Sequence, residues 1–460
     1  MTFAQAVSGK PGTPSYDPEL ADQFPHPRLD DTVPADPAMR TLWARNLAFD
    51  ATIYGQPAVL IYRQAYDQAI APGGTGFVGF NRFAHGRSPA GPGYAPFKTP
   101  NADTLYSNAY LDLRGGPVLF NVPATAARYY TANFLDYFGN ATNISARTHG
   151  MNGGRYLIAT TDWRGEVPKD RTLFRVASPA MWILLRVLVS DASDAKVANA
   201  LQDRFVLTPT GTPSPRTWPD GHDRSAIGFF RILDFVLREA GQPVKEEALV
   251  YRYKGIGIAG PRSFDEIIQD EASRVGIERG HAEALALIDS SIVQNGRRVG
   301  TWSEPLDVGR PGYNYLYRAA VNTLGTGGNV TDENYPFTTF VDADGGRLTG
   351  ADGPYELRLA SPPPARYFWS VTVYDAKTRE LFPNAAGKYL VNDRTRGLVR
   401  GPSGSVTVRF ETGAMAGHID ANTIPVPDGP FYVAIRAQGP LPDLLERRWV
   451  PPPVRNTAAR

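Results

Sequence analysis

Two parts of the sequence repeat the same order of a Gly-Pro turn, a short apolar segment, an arginine followed by aromatic residues, and an aspartate. The first copy has these features at Gly116-Pro117, Arg128-Tyr129-Tyr130 and Asp136, and the second has them at Gly353-Pro354, Arg366-Tyr367-Phe368 and Asp375. Short apolar segments between turn residues are typical of β-strands, so the repeated order predicts a duplicated β-unit. If the two copies pack as a pair, both Arg-Tyr strands face one shared groove.

The spacing of apolar residues changes between these copies. Turns and alternating apolar segments surround each copy, whereas apolar residues at helical spacing dominate the stretch from Ser193 to Asn295. A capping box at Ser263-Phe264-Asp265-Glu266 marks a helix start within that stretch. The predicted parts are an N-terminal arm at 1–38, a first β-sandwich unit at 39–185 that begins with a helix at 39–71, a helical insertion at 186–310, and a second β-sandwich unit at 311–460. The insertion is expected to lie outside both sandwiches.

Charge and composition exclude several classes of partner. Lys plus Arg is 48 and Asp plus Glu is 46, so the formal net charge is +2. The sequence has no basic stripe of the kind that binds phosphates, so a nucleic acid partner is not expected. The chain has no cysteine, which excludes thiol nucleophiles and zinc-thiolate sites. No apolar run approaches the roughly 20 residues of a membrane span, so a soluble protein is expected. The sequence leaves open whether the protein forms a homo-oligomer.

The compartment also stays open. Ala4-Gln5-Ala6 has the small-x-small form of a signal-peptidase site, but no charged or apolar region precedes it. If the chain begins near the end of a removed export signal, the protein is periplasmic or secreted. Otherwise the motif is chance and the protein is cytoplasmic.

No cofactor or metal site is expected. The glycine-rich stretches 74–79 and 255–260 match the letters of the dinucleotide-binding fingerprint, which needs a strand before it and a helix at its third glycine. Phe80-Asn81-Arg82-Phe83 predicts no helix after the first stretch, and Pro261 interrupts the second. The six histidines show no ligand spacing, so no zinc site is predicted.

The segment TPNADTLYSNAYLDL, residues 99–113, has more polar residues than a strand with one wet face needs. Tyr106 and Asn108 fall on one face of the strand, and Leu105, Ala109 and Leu111 fall on the other. Aromatic faces stack on sugar C–H groups while amides exchange hydrogen bonds with hydroxyls, so the polar face suits a carbohydrate. The candidate substrate-binding residues are Asn101, Tyr106, Asn108, Arg128, Tyr137, Asn140, Arg147, Trp369 and Tyr374. Those from Asn101 to Asn140 are expected to border one cavity.

Two aspartates are the candidate catalytic residues. Asp103 and Asp136 each lie among aromatic and amide side chains, where a carboxyl group can act as a general acid or base. Together they form a candidate carboxylate pair of the glycosidase kind. The alternative is structural: Asp103 caps the turn after Pro100, and Asp136 ties a loop to Asn140 through backbone hydrogen bonds. Trp369 has a similar alternative, as a core residue rather than a sugar platform.

Six stretches in order carry a family resemblance: YGQPAVLIYR, TPNADTLYSNAYLDL, RYYTANFLDYFGNAT, KGIGIAGPRSFDE, YFWSVTVYD and GPFYVAIR. From about residue 45 to residue 453 the chain resembles the bacterial two-domain family whose halves are domains of unknown function 1254 and 1214. The resemblance implies two jelly-roll-like β-sandwiches with helical additions, hence a fold that is mainly β with α additions. It does not imply a reaction. Gly387-Lys388-Tyr389 departs from the Asn-Arg-Tyr segment expected there.

The function predicted from these observations is a hydrolase or lyase that acts on a carbohydrate or another polyhydroxylated compound without an organic cofactor. A cleft lined by Tyr, Asn and Asp would bind the small-molecule or glycan ligand. The competing hypothesis is a non-catalytic glycan-binding or cell-envelope protein that uses the same cleft only for recognition.

Overall fold

The computed structural model describes residues 32–94, 97–190, 193–294, 296–304, 306–413 and 419–458. Most of the predicted N-terminal arm, and with it Ala4-Gln5-Ala6, lies outside these residues. The described chain forms two β-sandwiches and a layer of helices. Its helices are α1 (Pro37–Ala65), α2 (Ala146–His149), α3 (Ala195–Gln202), α4 (Ala226–Ala240), α5 (Glu247–Tyr253), α6 (Phe264–Ile267), α7 (Glu271–Ser291), α8 (Tyr315–Gly325) and α9 (Pro442–Leu445).

The first sandwich has two sheets. Its strands are β1 (Ala84–His85), β2 (Thr104–Asp112), β3 (Val118–Val122), β4 (Tyr130–Asp136), β5 (Ala141–Ser145), β6 (Gly154–Thr160), β7 (Thr172–Val176), β8 (Ala180–Leu188) and β9 (Val206–Pro209). One sheet has the order β1-β2-β8-β4-β5 and the other has the order β7-β6-β3-β9. We call the first of these the first inner sheet, because its free face contacts the helices.

The second sandwich is built in the same way. Its strands are β10 (Arg297–Val299), β11 (Trp302–Glu304), β12 (Asn334–Thr339), β13 (Tyr355–Leu359), β14 (Ala365–Asp375), β15 (Leu390–Asn392), β16 (Val406–Thr412), β17 (Thr423–Val426), β18 (Phe431–Pro440) and β19 (Arg455–Asn456). The second inner sheet has the order β10-β11-β12-β18-β14-β15, and the other sheet has the order β17-β16-β13-β19.

The two sandwiches share one strand order. The run β2-β8-β4-β5 corresponds to β12-β18-β14-β15, and β7-β6-β3-β9 corresponds to β17-β16-β13-β19. The only parallel pairs among the described strands, β6 with β7 and β16 with β17, fall at the same place in each unit. A register shift between Ala365 and Phe368 adds one residue to β14, which accounts for the longer distance from Arg366 to Asp375. The predicted pair of related β-units is confirmed.

The helical segment differs from its predicted boundaries. Helices α3 to α7 fall within 186–310 as expected, and the capping box at Ser263 and Glu266 is present. Three strands in the same range, β9, β10 and β11, join the sandwiches, so the range does not lie wholly outside them. Helix α8 falls instead in the part predicted to be the second β-unit. Strands β9, β10 and β11 have only three or four residues each, which is too short for an apolar pattern that distinguishes a strand from a loop.

Three apolar cores hold the fold together. One lies inside each sandwich, represented by Phe120 in the first and Val433 in the second. The third joins the helices to the free faces of both inner sheets and includes Leu233, Tyr110 and Tyr432. Strand β2 contributes to two of these cores, since alternate residues point to opposite faces, and every one of its residues is buried.

No helix among the described residues has both the length and the apolar character needed to cross a membrane.

Candidate functional site

A cavity of about 120 Å³ lies between the two inner sheets. A single buried water needs about 10–15 Å³, so the cavity is several times larger than a water site. Its polar lining comes from both sandwiches and from the segments between them: Lys98, Thr99, Asn101, Tyr106, Arg186, Thr326, Asn329, Asn334, Thr338, Arg436 and Gln438. No Asp or Glu lines this cavity among the described residues. Apolar groups complete the lining: Phe97, Val308, Val321, Leu324 and Pro336. The cavity therefore combines apolar walls with hydrogen-bonding groups and positive charge.

Two arginines reach the cavity from equivalent strands. On the first inner sheet Arg186 of β8 lies between Tyr106 of β2 and Thr131 of β4. On the second, Arg436 of β18 lies between Pro336 of β12 and Ser370 of β14. Because β8 and β18 occupy the same place in the two strand orders, the duplication brings one arginine from each unit to a single cavity.

Neighbouring backbone and tyrosine groups position these arginines. Arg186 donates from Nη2 to the carbonyl oxygen of Gly327 at 2.7 Å, and its guanidinium lies 5.6 Å from the centre of the Tyr106 ring. Arg436 donates from Nη1 to the Tyr374 hydroxyl at 2.8 Å and from Nη2 to the Thr99 carbonyl at 3.0 Å. Burial opposes the charge of Arg436, but Tyr374, Tyr106 and Tyr432 raise its pKa above the ordinary value.

One wall of the cavity is the segment 97–101, which precedes β2. Thr99 has a φ of 56° and donates from its amide to the Arg379 carbonyl at 3.0 Å. The Tyr374 hydroxyl donates to the Pro100 carbonyl at 2.6 Å, and the Asn101 amide donates to the Tyr106 hydroxyl at 2.7 Å. These contacts attach a segment of the first unit to the second sandwich and hold Asn101 and Tyr106 at the cavity.

A buried amide network closes the opposite wall. Asn143 donates from Nδ2 to Asn329 Oδ1 at 2.9 Å and to Thr131 Oγ1 at 3.0 Å. Asn133 donates to the Gly328 carbonyl at 3.0 Å. Gly327 has a φ of 88°, and a Cβ there would come within 2.8 Å of Leu184 and Trp182, so the loop needs glycine at this point.

The predicted single cavity does not collect all of the residues expected at it. Asn101 and Tyr106 line the cavity, but Asn108, Arg128, Tyr137 and Asn140 do not. Asn108 accepts from Trp182 Nε1 at 3.0 Å, Arg128 pairs with Asp194 at 2.6 Å, and Tyr137 is buried in the helix-facing core. Helices cover the face of β2 that was expected to contact solvent, and Asn108 on that face has its partner inside the protein. For these four residues the predicted cavity is wrong.

The remaining candidate binding residues have structural contacts. Arg147 pairs with the buried Glu333 at 2.8 Å, and Trp369 lies in the core of the second sandwich, as the structural alternative proposed. Tyr374 stands behind the cavity, where it holds Arg436 and the carbonyl of Pro100. Tyr374 therefore supports the cavity wall and does not line it.

Asp103 and Asp136 do not form a carboxylate pair. Thr104, next to Asp103, lies opposite Leu188, whereas Asp136 lies opposite Met181 at the other end of β8. That separation corresponds to about 23 Å along the strand at about 3.3 Å per residue. Glycosidase carboxyl groups lie roughly 5–9.5 Å apart. The predicted catalytic pair is therefore wrong.

The two aspartates have different environments. Asp136 accepts from the amides of Phe138 and Asn140, both at 2.9 Å, as the structural alternative proposed. Both carboxylate oxygens of Asp103 are buried and accept no hydrogen bond from another described residue, so Asp103 does not cap the turn after Pro100. Burial raises the pKa of Asp103, although Arg394, whose Nη2 is 4.0 Å away, and Arg436 oppose the shift.

Sequence reasoning missed Arg186 and Arg436, together with Asn329, Asn334 and Gln438. Each arginine is the only charged residue of a strongly apolar strand, MWILLRVL in β8 and FYVAIRAQ in β18. A buried strand rarely carries a lone arginine without a reason, and that signal was available.

No cofactor or metal site stands out in the described part of the chain. It contains no group of three or more His, Asp or Glu residues that could hold a metal ion. Neither glycine-rich stretch follows a strand directly, since a π-helical turn at Tyr66–Ile70 precedes 74–79 and α5 precedes 255–260.

Two related β-sandwiches, a helical layer that packs on both and a cavity between the inner sheets characterise the described part of the chain. A family described as a protein of unknown function (DUF1254) matches residues 80–209, and a second described as a protein of unknown function (DUF1214) matches residues 333–442. The chain belongs to the family in which these two domains follow each other in this order.

Two solved structures match this chain over most of its length. The VPA0106 protein from Vibrio parahaemolyticus is 24% identical, with a TM-score of 0.66, and the match covers 90% of this chain and 99% of that one. An uncharacterized protein from Burkholderia cenocepacia is 12% identical, with a TM-score of 0.41, over 93% of this chain and 98% of that one. The first likeness shows the fold alone. A search of curated proteins found no match.

Proposed function

We propose that the protein binds a small polyhydroxylated molecule in the cavity between its inner sheets. The observation that carries this proposal is a cavity of about 120 Å³ to which both sandwiches contribute amide and hydroxyl groups. Asn101 and Asn329 come from the first unit and the loop after α8, and Asn334, Thr338 and Gln438 come from the second inner sheet. Amides and hydroxyls both donate and accept, which matches the hydrogen bonding of a polyol.

A lyase or hydrolase reaction at the same cavity is the second candidate, and it requires an acid–base group other than the two aspartates. Tyr106 supplies one, because its hydroxyl accepts the Asn101 amide at 2.7 Å and its side chain lines the cavity. A phenol can carry a proton to or from a reacting group. The glycan-binding hypothesis uses the same cavity without turnover.

Binding is tested by thermal unfolding and calorimetry with a panel of neutral sugars, sugar alcohols and sugar acids. The test variant is Thr338→Val, which removes a hydroxyl from the cavity, and the control is Thr407→Val, a half-buried threonine on β16 outside it. Loss of one neutral hydrogen bond should weaken binding by about threefold to tenfold in Thr338→Val and leave Thr407→Val like the wild type. Equal affinity in the two variants, or no binding by any compound, contradicts the proposal.

Turnover is tested on the compound that binds best. Proton NMR of the recovered compound distinguishes an unchanged ligand from a product. If the protein is an enzyme, Tyr106→Phe should keep binding within a few-fold and lose turnover by about 100-fold or more, as expected for removal of a general acid or base. Turnover that Tyr106→Phe retains removes Tyr106 from the reaction, and an unchanged ligand leaves binding as the function.

A further inference from the structure

We infer that the ligand carries an oxyanion, a carboxylate or a phosphate, that binds between Arg186 and Arg436. This inference rests on the proposed function, because it assigns a chemical class to the molecule in the same cavity. It goes further by stating that a neutral polyol is the wrong partner for this lining and that a sugar acid or a sugar phosphate is the right one.

The first support is the charge of the cavity. Lys98 pairs with Glu380, so its charge is compensated within the protein. Arg186 and Arg436 form no ion pair with any residue in the described ranges, and Arg436 is only 7% exposed. The buried Asp103 acts on Arg436 only at a distance longer than an ion pair. A buried charge without a counter-ion is costly, and proteins normally pair such charges. An anionic ligand would supply the missing counter-ion for both arginines at once.

The second support is the donor geometry. Arg186 uses Nη2 for the Gly327 carbonyl, and its buried Nη1 has no hydrogen-bond partner in the described structure. Arg436 donates from Nη1 to the Tyr374 hydroxyl and from Nη2 to the Thr99 carbonyl. A guanidinium has five N–H groups, so both arginines keep N–H groups for a further acceptor, and guanidinium groups match the oxygens of carboxylates and phosphates.

The third support is an aromatic side chain beside the arginines. The Tyr106 ring lies 5.6 Å from the Arg186 guanidinium, and Tyr106 lines the same cavity as Arg436. An oxyanion between the arginines would lie beside the Tyr106 hydroxyl, while the amides of Asn334 and Gln438 on the second inner sheet are placed for the hydroxyls of the same ligand.

Calorimetry with matched compounds tests the inference. The probes are glucose and glucitol as neutral compounds, gluconate and glucuronate as carboxylates, and glucose 6-phosphate with inorganic phosphate as the phosphate arm. We expect an anionic probe to bind at least about tenfold more tightly than its neutral counterpart, since hydrogen bonds to charged groups are the stronger ones. The preference should shrink as ionic strength rises.

The variants are Arg186→Gln and Arg436→Gln, each of which should remove the preference for the anion. The control is Arg366→Gln, an exposed arginine on β14 outside the cavity, which should bind like the wild type. Arg186→Lys and Arg436→Lys keep the charge, so they should retain part of the preference even if a glutamine variant folds poorly. Circular dichroism checks the fold of each.

The outcomes separate this inference from the proposed function. Tight binding of neutral polyols with no preference for either anion overturns the inference and leaves the proposed function standing. A preference that survives in both glutamine variants overturns the assignment to Arg186 and Arg436. Failure of every probe to bind overturns both proposals. A preference for the carboxylate or for the phosphate compounds decides between the two anions.

Discussion

At the scale of single residues, the aspartates at the ends of β4 and β14 have the same structural role in the two units. Asp136 accepts the amides of Phe138 and Asn140, and Asp375 accepts the amides of Lys377 and Thr378, both at 2.8 Å. Each carboxylate thus closes the turn that follows its strand. Asp103 differs from both, because its buried oxygens have no donor from another described residue.

We predict that Asp103→Asn becomes progressively more stable than the wild type as pH rises. Burial raises the folded pKa of Asp103 above its unfolded value of about 4, so the folded state holds a proton more tightly than the unfolded chain. The contribution of Asp103 to the free energy of unfolding is therefore fully present below about pH 4, and it is lost as pH rises through the folded pKa. Asparagine stays neutral and loses nothing there.

The measurement is the difference in thermal midpoint between Asp103→Asn and the wild type from pH 4 to pH 8. Asp162→Asn is the control, since Asp162 is exposed and hydrogen bonding to Thr160 lowers its pKa, the opposite direction. A difference that stays constant with pH, or that favours the wild type more at pH 8, contradicts the prediction.

At the scale of elements, helices α1 and α7 pack at a distance that only glycine allows. A Cβ at Gly276 would lie 2.4 Å from the Thr41 carbonyl oxygen, and one at Gly280 would lie 2.2 Å from the Arg45 carbonyl oxygen. The two glycines are one helical turn apart, so they form a smooth strip along which the backbone of α1 lies. This contact anchors the helical layer that covers the free faces of the inner sheets.

We predict that Gly280→Ala destabilises the protein although alanine is the better helix former. Helix propensity favours alanine by about 1 kcal/mol, whereas overpacking costs about 1–3 kcal/mol. A Cβ 2.2 Å from a backbone oxygen belongs at the upper end of that range, so the net loss is about 2 kcal/mol. Urea unfolding followed by circular dichroism measures it. Gly91→Ala, at a glycine with no atom near its Cβ position, should be close to neutral. A Gly280→Ala protein as stable as the wild type would sink this account of the helix contact.

At the scale of the whole molecule, one buried carboxylate connects the two sandwiches. Glu333, which precedes β12 in the second unit, accepts from the Tyr129 and Ser145 hydroxyls at 2.9 Å and from Arg147 Nε at 2.8 Å. All three donors belong to the first unit. With the segment 97–101 on the opposite side, these bonds fix how the inner sheets face each other and therefore the shape of the cavity.

We predict that Glu333→Ala costs about 3–5 kcal/mol of stability, because it leaves Arg147 and two hydroxyls without their acceptor. Chemical unfolding should also become less cooperative, since the sandwiches lose a connection that they share. Glu166→Ala, at an exposed glutamate, is the control and should change stability by less than about 0.5 kcal/mol. An unchanged unfolding midpoint in Glu333→Ala would show that other contacts hold the sandwiches together.

Features that depend on neighbouring residues could be predicted from the sequence alone. The repeated turn and strand order predicted two related sandwiches, and the capping box at Ser263 predicted a helix start, because turns and caps form within a few residues. The hydrogen bonds between Asp136 and the loop at Asn140 were available as an alternative for the same reason.

The cavity, in contrast, depends on contacts between residues that are distant in the sequence. Arg186 and Arg436 lie far apart in the chain and meet because two strands occupy equivalent places in facing sheets. Asp103 and Asp136 look alike in sequence, yet strand pairing sets them at opposite ends of β8. The polar face of β2 predicts an open cleft, but helices from elsewhere in the chain pack on that face and bury it. Local patterns fix which faces a strand has, whereas long-range packing decides what each face meets.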